Sequence, residues 1–153
     1  MKASDVALRF VLTALQSLRK SLWFVSRPKT FGAHAIALTA EGKIILVKLR
    51  YARGWGLPGG GRSEDEPAVD AALRELREEI GMISHGEVRP AADFHESTDF
   101  KRDTAQVIVV RHVVYRPRWN LEVERVCEAD LDSLPPDLSP IGRRWIETIR
   151  PSL

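Results

Sequence analysis

The chain has 153 residues, 44% hydrophobic and 29% charged, with a formal net charge of +2. That length suits one domain with a substantial core, and the balance excludes a disordered tail or a membrane-embedded bundle. A total of +2 is too small to argue for nucleic acid, but its distribution is uneven. Arg62 to Glu79 holds seven acidic residues against three basic ones, a net −4 that leaves +6 on the remainder. An acidic pocket in a mildly basic surround suits a divalent cation with an anionic substrate, although a solvated acidic helix would give the same numbers.

Cys127 is the only cysteine, so an intramolecular disulfide and a Cys-x-x-Cys zinc site are both excluded. No apolar run reaches the roughly 18 residues of a membrane span. Arg9 and Arg19-Lys20 interrupt the apolar N-terminus, and no small-x-small cleavage site follows, so a cytoplasmic location is expected.

In chain order, residues 4 to about 25 read as a helix. Leu8, Val11, Leu15, Leu18, Leu22 and Val25 recur at steps of three and four, with Arg9, Thr13, Gln16, Ser17 and Lys20 opposite. Ser4 or Asp5 would cap its start, and Arg27-Pro28 ends it. Strands are expected at Phe31–Thr39 and Lys43–Tyr51, with Glu41-Gly42 as a hairpin signal. The glycine-dense stretch from Arg53 to Gly61 reads as a loop without regular structure. A helix follows from Pro67 to Ile80, with proline favoured in its first turn and Gly81 as its stop. Strands are predicted over Glu87–Glu96 and Gln106–Tyr115. Pro135-Pro136 is a breaker, and a last helix runs over Ser139–Ile149. Mixed strands and helices indicate an α/β or α+β layered domain.

On the helix that ends at Ile80, Glu75, Glu78 and Glu79 project within about 100° of one another. Val69, Leu73, Leu76 and Ile80 form a second, apolar stripe about 140° away, the face expected to be buried. Three ionised carboxylates at i, i+3 and i+4 repel, and a hard divalent cation relieves that repulsion through the oxygen ligands it prefers. A solvated acidic face with local salt bridges is the competing account. Gly59-Gly60-Gly61 just ahead of the helix lets the backbone approach a phosphate or a metal closely, which favours the ligand-binding account.

Read together, Gly60, Glu66 and the run Arg74-Glu75-Leu76-Arg77-Glu78-Glu79-Ile80-Gly81-Met82 resemble the Nudix box, Gly-x5-Glu-x7-Arg-Glu-U-x-Glu-Glu-x-Gly-U with U a bulky aliphatic residue. Every specified position matches, and Trp55-Gly-Leu-Pro-Gly-Gly resembles the usual approach to the box. The resemblance is tight over residues 60–82 and looser over 31–150. It implies a Nudix fold, a mixed β-sheet sandwiched between helices, over residues 28–153, with residues 1–27 as an accessory amphipathic helix. It implies a pyrophosphohydrolase that cleaves a nucleoside diphosphate linked to another moiety by attack of water on phosphorus, with Mg²⁺ or Mn²⁺ as cofactor. By the same resemblance Glu79 is the principal metal ligand. Glu75 and Glu78 complete the catalytic carboxylates, and the Gly59 or Gly60 carbonyl is a further ligand. Arg74 pairs with the carboxylates, and Glu66 pairs with Arg74.

Such enzymes often draw a further base or ligand from a distant loop. Candidates are Glu96, Asp99, Asp103, Glu122, Glu124 and Glu128, any of which also fits as a surface carboxylate. His34 and His95 are weaker candidates for substrate contact. Lys48, Arg50 and Arg53 are candidates for clamping phosphate, and Trp55 and Phe100 for stacking on a base. The N-terminal helix leaves three readings open: packing on its own domain, pairing in a homodimer, or lying on a membrane surface. A Nudix-fold module that binds a nucleotide without turnover is the alternative function; such modules usually lose box carboxylates, and none is lost here. No basic stripe with interleaved aromatics supports a stable nucleic-acid complex or RNA decapping. The substrate subfamily stays open. The flanks of the box show no coenzyme A-type signature, Ser97 stands where ADP-ribose hydrolases often have proline, and Phe100 resembles only faintly the tyrosine of dinucleoside polyphosphate hydrolases. Arg27-Pro28-Lys29-Thr30 is similar to a segment of bacterial Nudix proteins of undefined substrate.

Overall fold

The computed structural model describes residues 6–7, 10–16, 29–98 and 101–153, giving backbone alone for 29, 97, 98, 101 and 102. Beyond residue 28 the described residues form eight strands, two α-helices and a closing 3-10 turn (Arg150–Ser152): β1 (Lys29–Ala37), β2 (Ile44–Leu49), β3 (Gly59–Arg62), α1 (Ala68–Ile80), β4 (Met82–Ser84), β5 (Val88–Thr98), β6 (Lys101–Val110), β7 (Val114–Tyr115), β8 (Val123–Ala129) and α2 (Pro140–Ile149). Residues 6–7 and 10–16 are helical. The rest of the expected 4–25 helix, with Leu8, Leu18, Leu22 and Val25, lies outside the described residues.

The main sheet is mixed, in the order β3-β1-β6-β5, with β1 and β6 parallel and the outer pairs antiparallel. Two small antiparallel pairs, β2-β8 and β4-β7, complete the strands. Residues alternate between two cores. Ala33, Ala35, Ala37, Ile108 and Val110 face Ala72, Leu76 and Ile80 of α1, while Ile36, Leu38, Val107 and Val109 belong with Trp145, Ile146 and Ile149 of α2. Because β6 is covered on both faces, Val107-Ile-Val-Val reads as a continuous apolar run instead of alternating. This is the expected sheet between helices.

α1 meets the sheet through Ala71 and Ala72, fully buried with Leu76 and Ile80, whereas Val69 and Leu73 are only partly buried. The buried stripe is therefore turned from the expected one, because two alanines let the helix axis approach the sheet closely. Gly81 ends α1 in the left-handed conformation at φ +70°, and a Cβ there would stand 2.1 Å from the Arg116 carbonyl oxygen. Ser139 caps α2 by accepting from the Gly142 N–H at 3.1 Å, with Pro140 at its first position.

Three expectations change. Glu41-Gly42 does form a turn, with Gly42 at φ +79°, but β1 and β2 share only the Leu38–Ile44 bridge. β2 pairs instead with β8 and, by two backbone bonds between Val47 and Gly56, with the following loop. The run from Gln106 to Tyr115 is divided between β6 and β7, with His112 between them at φ +53°. Gly59–Arg62 is a strand, not a loop. Its pairing with Phe31–His34 of β1 supplies the order that glycine lacks by itself. β8, which was not anticipated, pairs across the whole length of β2.

Candidate active site

The carboxylates of α1 face β3. Glu79, only 6% exposed, accepts the Gly59 N–H at 2.8 Å. That one hydrogen bond favours the ionised form, but burial and the charges of Glu75, Glu122 and Glu78 outweigh it and push the carboxyl up to about 8. Glu75 is raised for the same first reason, burial, against the pull of Arg74. Space for this crowding comes from glycine: a Cβ on Gly60 would lie 2.9 Å from Glu75 Oε1.

Arg74 gathers the loop and the helix. Its Nε donates to Glu66 Oε1 at 3.0 Å, Nη1 to Glu75 Oε1 at 2.7 Å and Glu78 Oε2 at 3.4 Å, and Nη2 to the Gly61 carbonyl at 3.2 Å. The hydrogen bond from Arg74 holds the partly buried Glu66 carboxyl below its ordinary value. The guanidinium itself is raised, first by Glu66 and then by Glu75. Arg62 closes the other end of the loop by donating to the Glu66 carbonyl at 2.8 Å and to Gln106 Oε1 at 2.8 Å.

A cavity of about 650 Å³ opens over this arrangement, lined by Glu75, Glu78, Glu79, Gly59–Gly61 and, from the loop before β8, Asn120, Leu121 and Glu122. Among the described distant carboxylates, Glu122 is the one brought to this cavity, and its charge is felt by both Glu75 and Glu79. Two backbone connections place it. The Arg50 N–H donates to the Glu122 carbonyl at 2.8 Å, and the Glu122 N–H donates to Asn120 Oδ1 at 3.0 Å. The Asn120 amide nitrogen in turn donates to the Glu79 carbonyl at 3.2 Å, tying the loop to the end of α1. A second cavity of about 610 Å³ shares Tyr51 and Gly59–Gly61 with the first and contains Phe31, His34, Arg62, Glu66 and Asp103.

The remaining candidates are scattered. Glu96 pairs with Arg144 of α2, Glu128 accepts from the Tyr115 hydroxyl at 2.9 Å, and Asp103 accepts from Thr30 at 2.8 Å. Glu124 lines neither cavity. His95 lies 3.3 Å from the Thr104 hydroxyl, and His34 sits against Trp145 with ring centroids 5.1 Å apart. Lys48 is 4.0 Å from Asp137 and lies over the Trp55 ring, which Arg125 also approaches. The backbone of Trp55 bridges Asp137 and Ser139. Neither cavity is lined by Lys48, Arg50, Arg53 or Trp55. Asp99 and Phe100 lie outside the described residues. Tyr51 and Asn120 were not anticipated, because nothing local marks either one: Asn120 acts through two chain segments that are distant in sequence.

Carboxylate and carbonyl oxygens are the donors that Mg²⁺ and Mn²⁺ prefer, and four crowded carboxylates, one of them buried, fit such an ion. They do not form a finished cage: among the described residues, no three acidic, histidine or cysteine side chains are grouped to hold one ion.

The NUDIX domain family matches residues 28–147, most of the chain. The chain belongs to the Nudix family. Over 52 residues it is 44% identical to a Bacillus subtilis protein provisionally named 8-oxo-dGTP diphosphatase, a match that covers 34% of this chain and 35% of that protein. Over 47 residues it is 40% identical to an RNA pyrophosphohydrolase of Hydrogenovibrio crunogenus, covering 31% of this chain and 28% of that one. The chain thus spans about a third of the length of the curated relatives it matches. Among solved structures, a MutT NUDIX hydrolase from Burkholderia pseudomallei superposes with a TM-score of 0.66 at 27% identity, covering 79% of this chain and 98% of that one. A MutT protein from Methanosarcina mazei, 22% identical, shares the fold with a TM-score of 0.71 over 82% of this chain and 96% of that one. No helix among the described residues of this Nudix chain is long and apolar enough to cross a membrane.

Proposed function

We propose that this Nudix domain is a metal-dependent pyrophosphohydrolase acting on a nucleoside diphosphate linked to another group. The observation that carries the reading is the convergence of Glu75, Glu78, Glu79 and Glu122 on one cavity, with Glu79 buried at a cost that a bound cation removes. Glu79 and Glu75, with a carbonyl from Gly59 or Gly60, would hold Mg²⁺ or Mn²⁺. Such an ion, when bound, would supply positive charge beside the phosphates and acidify the attacking water.

The chain's own groups do the rest. Glu122, which lines the same cavity from the loop before β8, would orient and deprotonate the water that attacks phosphorus. Arg74 keeps Glu75 and Glu78 turned toward the cavity and fixes the glycine strand through Gly61. Glu66 keeps Arg74 in place. The names of the two curated relatives make 8-oxo-dGTP and RNA the first substrates to try. The test is a panel of 8-oxo-dGTP, RNA, other nucleoside triphosphates, ADP-ribose, nucleotide sugars and dinucleoside polyphosphates with Mg²⁺ or Mn²⁺, with Glu79→Gln as the folded control. Metal-dependent release of phosphate or nucleotide that the variant lacks is expected. Equal rates in both proteins would overturn the assignment. So would a wild-type protein that binds nucleotide yet turns over nothing in the panel, the outcome a pure binding module predicts.

A further inference from the structure

The carboxylate cavity has a wall that the box chemistry does not call for. Leu12, Leu15 and Gln16 of the helical residues 10–16 line it, although this segment precedes the region matched by the family. Positions i, i+3 and i+4 share one helix face, so the three side chains form a single contact surface. This face differs from the expected apolar stripe. Val11 is 53% exposed and lines no part of the cavity, whereas Leu12 and Gln16 are half-buried there.

Leu121, from the loop that carries Glu122, lines the same cavity. Leu15 and Leu121 are 53% and 55% exposed, so beside the carboxylates of α1 and Glu122 the cavity also presents wet apolar surface. Isolated surface leucines need no explanation, but three meeting at one cavity mark a binding surface. A ligand that suits both walls carries phosphates at one end and an uncharged, flat, largely apolar group at the other. The carboxamide of Gln16 offers a donor and an acceptor to the edge of such a group.

We infer that Leu12, Leu15 and Gln16 determine specificity by receiving the nucleobase end of the substrate against Leu121, so that the N-terminal helix selects what the carboxylates cleave. The inference rests on reading the carboxylate cavity as the substrate site. It predicts that affinity for the nucleoside portion, and not for the phosphates, depends on residues 10–16.

Calorimetry with Mg²⁺ and two non-hydrolysable probes tests it: an α,β-methylene purine nucleoside triphosphate, and methylenediphosphonate, which keeps the bridging group but has no base. The double variant Leu12→Ala/Leu15→Ala should lose about tenfold in affinity for the nucleotide probe, as expected for removal of a few methylenes from a pocket, and bind methylenediphosphonate like wild type. Phe10→Ala, on the same helix but away from the cavity, should bind both unchanged; its circular dichroism beside that of the double variant controls for folding. A double variant that keeps wild-type affinity for the nucleotide overturns the inference and leaves the hydrolase reading standing. So does one that loses both probes equally, or one in which only the oligomeric state changes, since the helix would then serve a second copy of the chain. If the wild-type protein binds neither probe, the site reading fails and the inference fails with it.

Discussion

Glu79→Gln should stabilise the protein when no metal is present, even as it abolishes activity. The folded chain holds a proton on Glu79 up to about pH 8, whereas an unfolded glutamate releases it near 4.5. Between those values the folded state binds more protons than the unfolded state, so stability is greatest below about pH 4.5 and declines as pH rises toward 8. The separation corresponds to a penalty of about 4 kcal/mol at pH 8, in a group that is 6% exposed. Glutamine stays neutral and can still accept the Gly59 N–H, so the variant carries none of this penalty. For a chain of this length the difference amounts to a melting temperature higher by about 10 °C at pH 8, vanishing near pH 4.5. Thermal melts followed by circular dichroism in EDTA, at both pH values, give the comparison. Added Mg²⁺ should raise the wild type at pH 8 and leave the variant nearly unmoved, because the ion binds the ionised carboxylate. A variant that melts at or below the wild-type temperature at pH 8 would refute the account of Glu79 as a strained, cation-seeking carboxylate.

Four further outcomes follow from the geometry. Gly60→Ala should fold, because its Cβ meets only the end of the Glu75 side chain, yet weaken Mn²⁺ binding about tenfold or more in a titration. Gly81→Ala should instead destabilise by more than about 1 kcal/mol in urea unfolding, since left-handed backbone and a 2.1 Å contact with a carbonyl cannot both be relaxed. Glu122→Gln should lower kcat about 100-fold or more with KM little changed, whereas Arg74→Ala should lower metal affinity and kcat together, as loss of the clamp on Glu75 and Glu78 would.

The box was legible because its chemistry is local. Glycines, a helix and carboxylates at i, i+3 and i+4 specify their own arrangement within 23 residues, and the pairing of Arg74 with Glu66 spans only eight positions. The helix ends were legible for the same reason, through Gly81 and Ser139. Only the tertiary structure decided that Gly59–Arg62 is a strand, since glycine has no strand preference until β1 pairs with it. It also decided which distant carboxylate joins the site. Glu96, Asp103, Glu122 and Glu128 are alike as side chains, and what separates Glu122 is its loop, fastened to the end of α1 by Asn120 and to residue 50 by a backbone bond. Burial of Glu79 is the clearest case. Spacing puts three glutamates on one face, but only packing against β3 removes one of them from water and makes its charge costly.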